Sequence, residues 1–192
     1  MNARQRLVVG MSGASGAPLT RRLLEQLQGQ PGWETHLVIS ASAARTIELE
    51  LGCAVAEVAR LADVTHDEGD IGASIASGTF RTAGMVVIPC SMKSLAGIAC
   101  GYTDNLLLRA ADVTLKEQRK LVLVARETPL SRIHLDNMAR LAELGVRILP
   151  PMLTFYHQPR GIDDMIDHIV GKVLAEFGIE GQNFRRWKED SA

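Results

Sequence analysis

The sequence predicts an α/β fold: one domain over residues 1–192, built as a three-layer, Rossmann-like open parallel sheet with helices on both faces. Short runs rich in Val and Ile alternate with longer segments in which apolar residues recur every three or four positions. Continuous apolar runs are typical of parallel strands covered on both faces, and the second spacing is typical of amphipathic helices. With 46% hydrophobic residues, a chain of 192 residues can bury one substantial core.

The first strand is predicted over residues 6–11, "RLVVGM", and leads through a loop of Gly and Ser into a helix over residues 18–29. The same order continues along the chain, which requires crossover connections between parallel strands. Gly29, Gly52 and Gly145 are placed to end helices. The further predicted strands are 35–40, 84–90, 120–125 and 146–151, and the further helices are 41–52, 105–119, 131–145 and a final helix that carries Lys172.

Two segments interrupt this pattern. Residues 62–84 combine small and polar residues and are predicted to form a loop or a mobile cover. The tail, about residues 179–192, loses the helical spacing, so we expect it either to be disordered or to pack on a neighbouring subunit.

Composition excludes several classes of protein. The formal net charge is −1, from 21 basic and 22 acidic residues, so no global field favours nucleic acid or an anionic membrane. No apolar run reaches the roughly 18 residues of a membrane span, and the first residues do not resemble a signal peptide, so a cytoplasmic location is expected. The 3 cysteines and 5 histidines show no metal-ligand spacing, which predicts reduced thiols and no metal site.

The loop "SGASG", residues 12–16, is the first candidate binding site. Its glycines match neither the dinucleotide-binding spacing nor a P-loop. Backbone N–H groups and the hydroxyls of Ser12 and Ser15 at a helix N-terminus would suit a phosphate. The alternative is a tight turn whose glycines only relieve backbone strain.

Polar or small residues follow several of the predicted strands. In open α/β sheets, ligands bind beyond the carboxyl ends of the strands. Ser40, at one such end, suits a helix cap as well as a phosphate ligand. We expect the following residues to converge on one crevice: Ser12 to Gly16, Ser40, Ser91 to Ser94, Arg126, Glu127 and Tyr156.

The stretch "PCSMKSLAG" places Ser91, Lys93 and Ser94 directly after a buried strand. Small residues behind them would let a flat ring approach the backbone. Equally, Ser91 or Ser94 is a simple helix cap and Lys93 is solvated. Cys90 has no neighbouring histidine to activate it and is expected to be a buried apolar residue.

Charged residues at two places leave two interpretations open. Arg109, Asp112 and Lys116 share one helix face, as a salt-bridged surface or as cations that Asp112 orients toward an anion. Arg126 and Glu127 follow a strand, as solvated charges or as a phosphate-binding cation beside a proton donor or acceptor.

Three further residues have open roles. Glu50, near the end of the second helix, is either surface charge or part of the site. Tyr156 suits a packed lid, although its hydroxyl can bind an anion. Lys172 on the final helix is most simply solvated.

Several motifs together resemble one known family, the UbiX-type flavin prenyltransferases, which include the small B subunits of non-oxidative hydroxyarylic acid decarboxylases. The motifs are "MSGASG", "PCSMKSLAGIA", "RAADV", "LVLV", "RETPL" and "FYH". The resemblance runs from Leu7 to Trp187 and implies a flavoprotein-type fold.

The resemblance implies a metal-independent reaction between dimethylallyl monophosphate and reduced FMN. The dimethylallyl group moves to N5 and then to C6 of the flavin. The product is the prenylated FMN cofactor of a UbiD-type decarboxylase. The family's spherical dodecamers imply a homo-oligomer in which a neighbour orders the tail.

The resemblance also assigns roles to residues. It implies that Glu127 is the acid that assists phosphate departure, with supporting catalytic roles for Ser15, Glu50 and Lys116. The positions that match FMN-binding residues are Gly13, Ala14, Ser15, Ser40, Ser91, Met92, Lys93, Ser94 and Arg126. Those that match residues around the prenyl phosphate, or the tail, are Arg109, Lys116, Tyr156, Lys172 and Trp187.

Two other functions remain open. One is a non-catalytic FMN-binding subunit or carrier of an aromatic acid decarboxylase. The other is a flavin-dependent cysteine decarboxylase of the related fold. Such enzymes have an active-site histidine, for which His66 is the stand-in here, and an Asn-containing motif where this chain reads "PCSMKSLAG".

Overall fold

The computed structural model describes residues 4–187. Its centre is one sheet of six strands, and each pair of neighbouring strands is parallel. The predicted open parallel sheet is therefore confirmed. In chain order the strands are β1 (Gln5–Met11), β2 (Trp33–Ile39), β3 (Val64–His66), β4 (Gly84–Cys90), β5 (Lys120–Ala125) and β6 (Arg147–Ile148).

The order of the strands across the sheet is β3-β2-β1-β4-β5-β6. The chain builds outward from β1 to β3 on one side and then from β4 to β6 on the other. Gly10 of β1 lies between Val38 of β2 and Val87 of β4. The carboxyl ends of β1 and β4 thus flank the switch point, where open sheets bind their ligands.

Helices cover both faces of the sheet and enclose two cores. Leu23 and Val170 are fully buried in one core, and Leu95 and Leu141 are fully buried in the other. The three-layer prediction is therefore confirmed. None of the helices within residues 4–187 combines the length and the apolarity that crossing a membrane requires. The helices are α1 (Ala17–Leu27), α2 (Ala41–Leu51), α3 (Val55–Ala59), α4 (Met92–Cys100), α5 (Leu106–Lys116), α6 (Arg132–Glu143) and α7 (Ile162–Ala175), with a 3₁₀ turn over Ser74–Ala76.

The element boundaries depart from the sequence prediction in the least regular segments. Residues 62–84 are not only a loop, because they contain β3 and the 3₁₀ turn. Val64 and Thr65 are exposed on this edge strand, so no apolar run marks it. β6 is also shorter than predicted, since only two residues pair with β5. Gly52 ends α2 in the left-handed conformation, as predicted.

The tail packs on its own chain as far as Trp187. A Cβ atom on Gly171 would lie 2.4 Å from the ring of Phe184, so only glycine leaves room for this ring. The side chain of Asn183 donates to the carboxylate of Asp167 at 3.1 Å. Contact of the tail with a neighbouring subunit stays a prediction, and residues 188–192 lie outside the described part of the chain.

Candidate active site

Ser12 ties the ends of β1 and β4 together at the switch point. Its hydroxyl donates to the carbonyl of Pro89 at 2.9 Å and accepts from the N–H of Ser91 at 2.7 Å. The residue is 1% exposed. This hydroxyl, which the sequence suggests as a phosphate ligand, joins the ends of two strands instead.

A carboxylate already occupies the N-terminus of α1. Glu50 accepts from the N–H of Gly16 at 2.9 Å and from the N–H of Ala17 at 2.8 Å. Burial alone would raise the pKa of Glu50, but these bonds, a bond from Ser15 and the charge of Arg126 hold the pKa below its usual value. These two N–H groups are therefore not left for a phosphate, contrary to the sequence-based expectation.

Three other helix N-termini converge on one cavity of about 260 Å³. Each has a side-chain cap: Ser40 on α2, Ser91 on α4 and Asn105 on α5. Helix N-termini attract anions through their N–H groups and dipoles. The cavity is lined by Ser40, Ala41, Ser42, Glu68, Ser91, Lys93, Ser94, Asn105, Leu107 and Leu108.

The donors of this cavity suit a phosphate group. The hydroxyl of Ser91 donates to that of Ser94 at 3.2 Å, and the lining includes the ammonium group of Lys93. The predicted capping and ligand roles of Ser91 are thus compatible. The opening loop is adjacent, because a Cβ atom on Gly13 would lie 2.5 Å from the side chain of Ser42. The donors suited to an anion therefore lie at the starts of α2, α4 and α5 rather than at the start of α1.

Arg126 and Glu127 lie at the carboxyl end of β5, beside the end of β4. The N–H of Arg126 donates to the carbonyl of Cys90 at 3.0 Å. The carboxylate of Glu127 is exposed and accepts from the N–H of Thr128 at 3.0 Å.

Burial raises the pKa of the Cys90 thiol to about 12, which agrees with a packing role rather than a nucleophilic one.

Arg109 and Lys116 project from α5 toward the segment that precedes β4. Arg109 donates to the carboxylate of Asp112 at 2.7 Å and to the carbonyl of Ala76 at 3.3 Å. Lys116 pairs with Glu117 instead of Asp112. The structure therefore matches the salt-bridged interpretation, although Asp112 does not orient both cations.

Tyr156, Lys172 and Trp187 lie together in a second cavity of about 440 Å³. The rings of Tyr156 and Trp187 are perpendicular, with centroids 5.1 Å apart. The hydroxyl of Tyr156 lies 3.3 Å from Nε2 of His168. The cavity is lined by Leu149, Tyr156, Lys172, Ala175, Glu176, Phe184, Arg186 and Trp187.

The expectation that Tyr156 converges with the other strand-end residues is therefore wrong for the single chain. The two cavities share no lining residue. Lys172 is in the last turn of α7, next to Glu176, whose carboxylate lies 3.9 Å from Lys120 at the amino end of β5. Because α7 runs back along the sheet, its last turn is far from the carboxyl edge.

Some polar residues in and around these cavities were not singled out as candidates from the sequence. Ser42, Glu68 and Asn105 line the first cavity, and His168 contacts Tyr156 of the second. Asn105 had a usable signal, because Asn directly before an apolar helical run is a preferred N-cap. Glu68 had none, since it lies in a segment without periodicity.

No metal centre is evident in the part of the chain that the structure describes. Within residues 4–187, no group of three or more His, Cys, Asp or Glu side chains is arranged to hold a metal ion.

Comparison with known proteins gives consistent matches over almost the whole chain. The model of the flavoprotein family matches residues 1–177. A probable UbiX-like flavin prenyltransferase of Streptomyces sp. (strain D7) is 59% identical over 182 residues, which cover 95% of this chain and 91% of the relative.

Two solved structures are also closely similar. One is a dodecameric FMN-dependent UbiX-like decarboxylase from Escherichia coli O157:H7, with a TM-score of 0.94 and 56% identity over 95% of this chain and 99% of that one. The other is AnUbiX (PadA1) in complex with FMN and dimethylallyl pyrophosphate, with a TM-score of 0.93 and 48% identity over 96% of this chain and 97% of that one. From these matches and the shared fold, the chain belongs to the flavoprotein family and, within it, to the UbiX-like flavin prenyltransferases.

Proposed function

We propose that this chain transfers a dimethylallyl group from dimethylallyl monophosphate to N5 and C6 of reduced FMN. The observation that carries the proposal is the anion cavity at the starts of α2, α4 and α5, on the edge of the sheet where Glu127 also lies. The relationship to flavin prenyltransferases supports the same reaction.

The residues around the switch point fit FMN. The hydroxyls of Ser40, Ser91 and Ser94 and the charge of Lys93 would hold its phosphate. The family resemblance assigns Gly13, Ala14, Met92 and Arg126 to the flavin. The side chain of Met92 is buried in the core, so Met92 would contact the flavin through its backbone. Reduced flavin supplies the nucleophilic positions N5 and C6.

Glu127 would hold the proton that the departing phosphate needs. A phosphate is a better leaving group when a proton or a cation neutralises its charge. Glu127 is exposed in the single chain, so bound flavin or a neighbouring chain must exclude water from it. Ser15 and Glu50 would support this edge by fixing the opening loop.

Cations would replace the metal that many prenyl transfers need. Lys116 and Arg109 lie on one face of α5 and would neutralise the prenyl phosphate. Lys116 is in the last turn of α5, just before β5 begins, whereas Glu127 follows the other end of β5. On this account Lys116 therefore acts on the site of a neighbouring chain. Both already pair with a carboxylate, so each charge is held in place rather than free in solvent.

We propose that the cavity of Tyr156, Lys172 and Trp187 completes the flavin site of a neighbouring chain. Within one chain, this cavity and the anion cavity share no residue. The dodecameric assembly of the Escherichia coli O157:H7 relative supports the contact between chains. On this account residues 1–192 form one domain, and the tail after about residue 179 packs against the neighbour.

The destination of the product follows from the family resemblance. We propose that prenylated FMN passes to a UbiD-type decarboxylase in the cytoplasm. The chemistry supports this step, because the flavin is a substrate of this reaction and leaves as a modified cofactor. Another enzyme must then use that cofactor.

A second candidate function is a non-catalytic FMN carrier. The exposure of Glu127 in the single chain favours it, since a solvent-exposed carboxyl group exchanges its proton with water instead of delivering it to the departing phosphate. Anaerobic incubation with reduced FMN and dimethylallyl monophosphate separates the two. The enzyme releases a heavier flavin, whereas a carrier returns unmodified FMN.

A further inference from the structure

Glu68 places a carboxylate inside the anion cavity. One of its oxygens, Oε2, accepts from the N–H of Ala41 at 2.7 Å, at the first residue of α2. The other, Oε1, accepts from the side chain of Asn105 at 2.9 Å, at the cap of α5. Its carboxylate therefore bridges two of the three helix N-termini that form the cavity.

These contacts are the ones that a phosphate would make. The N–H groups of the first turn of a helix are the donors that bind a phosphate oxygen. In the described chain, the N–H of Ala41 already has a charged acceptor. A phosphate dianion bound in this cavity and the carboxylate of Glu68 would repel each other. The N–H of Ala41 also cannot donate a full hydrogen bond to both groups.

The carboxylate is held there by the chain around it. The backbone carbonyl of Glu68 accepts from the N–H of Leu106 at 2.8 Å, so the start of α5 binds both its main chain and, through Asn105, its side chain. The surrounding hydroxyls of Ser40 and Ser91 leave the cavity polar. Glu68 thus occupies the cavity as an internal anion in place of an external one.

We propose that Glu68 determines the affinity of the site for phosphorylated flavin, because its carboxylate occupies the phosphate position and must leave when FMN binds. The inference rests on the proposed function in that FMN is taken as the ligand. It does not depend on prenyl transfer.

The test compares the dissociation constants of FMN and riboflavin, measured by quenching of flavin fluorescence. The Glu68→Gln variant keeps the shape of the side chain but removes its charge. We expect it to bind FMN about tenfold more tightly than the wild type, in the range of one charged hydrogen bond, and to bind riboflavin unchanged. Riboflavin has no phosphate and does not compete with Glu68.

Asp70→Asn is the matched control. It removes the same charge from the same segment, but the carboxylate of Asp70 accepts from the N–H of Gly72 at 3.1 Å and is not part of the cavity. If Glu68→Gln does not fold, Glu68→Ala replaces it, because it also removes the carboxylate from the cavity and should also tighten FMN binding.

Three results would overturn the inference. One is unchanged FMN affinity in the Glu68 variant. Another is an equal change for FMN and riboflavin, which would show that Glu68 stabilises the structure of the cavity and does not compete with the phosphate. The third is an equal gain in Asp70→Asn. Prenyl transfer is assayed separately, so a wild type that binds FMN without turnover contradicts the proposed function and leaves this comparison decisive.

Discussion

The carboxylate of Glu50, at the end of α2, caps the N-terminus of α1 through the backbone N–H of Gly16 at 2.9 Å. Gly16 has a φ of 133°, a backbone conformation that residues with a side chain rarely adopt. The turn that presents its N–H therefore favours glycine. The first glycine-rich loop is thus built around an internal anion. We expect the flavin phosphate to bind in the neighbouring cavity instead.

Glu50→Gln should lower the free energy of unfolding by about 0.5–1 kcal/mol at pH 7, because a charged cap is lost from a largely exposed position. The pKa of Glu50 is lower in the folded chain than in the unfolded chain. Its contribution is therefore complete above the unfolded value of about 4.3 and is lost as the pH falls through the folded value. Urea unfolding at several pH values measures this.

Glu48→Gln is the control for that prediction, since Glu48 is exposed on the same helix. It should change the unfolding free energy by less than about 0.5 kcal/mol. A Glu50 variant whose deficit is equal at pH 7 and at pH 3 would show that the carboxylate charge is not the cause.

Glu127→Gln should retain FMN binding and slow prenyl transfer by a factor on the order of 10² or more, because an amide cannot supply the proton. Flavin affinity and the rate of flavin modification are measured on the same protein. Glu143→Gln, an exposed change on α6, serves as the control and should retain full activity. Normal turnover by Glu127→Gln would refute the acid role.

Lys116→Ala should weaken the use of the prenyl phosphate and leave FMN affinity nearly intact, since a cation near the phosphate is removed. Steady-state kinetics with varied prenyl phosphate measures the effect. Lys116→Arg keeps the charge and should restore part of the activity. A loss confined to FMN affinity would show that the assignment is wrong.

Glu127→Gln and Lys172→Ala chains should each be inactive alone and partly active when assembled together. If a site takes Glu127 from one chain and Lys172 from its neighbour, about a quarter of the sites in a 1:1 mixture are intact. Co-refolding followed by the flavin assay measures this. Activity no greater than the sum of the separate variants would place both residues in one chain's site.

Cys100 should react with iodoacetamide long before Cys90. Cys100 is exposed, whereas Cys90 is buried and its thiol has a pKa of about 12. At pH 8 only about one Cys90 thiol in 10⁴ is ionised. Peptide mass mapping after timed labelling measures the order, with labelling in denaturant as the control. Equal labelling of both in the native protein would contradict the buried packing role.

Much of the fold was predictable because the core elements carry strong local patterns. The central strands β1, β4 and β5 are continuous apolar runs, and α2 is bounded by a Ser cap and a Gly stop. β3 escaped prediction since two of its three residues face solvent, and its pairing with β2 comes only from tertiary structure.

The candidate site was predictable in its residue types and not in its grouping. Ser40 and Ser91 are recognisable because a cap and a strand end coincide in sequence. Tyr156 follows a strand in the same way, yet it lies with Lys172 in another cavity. Periodicity does not say which side of a folded chain a connecting segment reaches, nor does it reveal that Glu68 returns to the start of α2.

The most direct test of the account is the mass of the flavin after anaerobic reaction. The purified protein is mixed with dithionite-reduced FMN and dimethylallyl monophosphate, and the flavin is extracted. The account predicts a gain of one C5H8 unit, absent when the protein is omitted. Unmodified FMN, with binding confirmed and the diphosphate also tried, would contradict prenyl transfer and favour the FMN carrier.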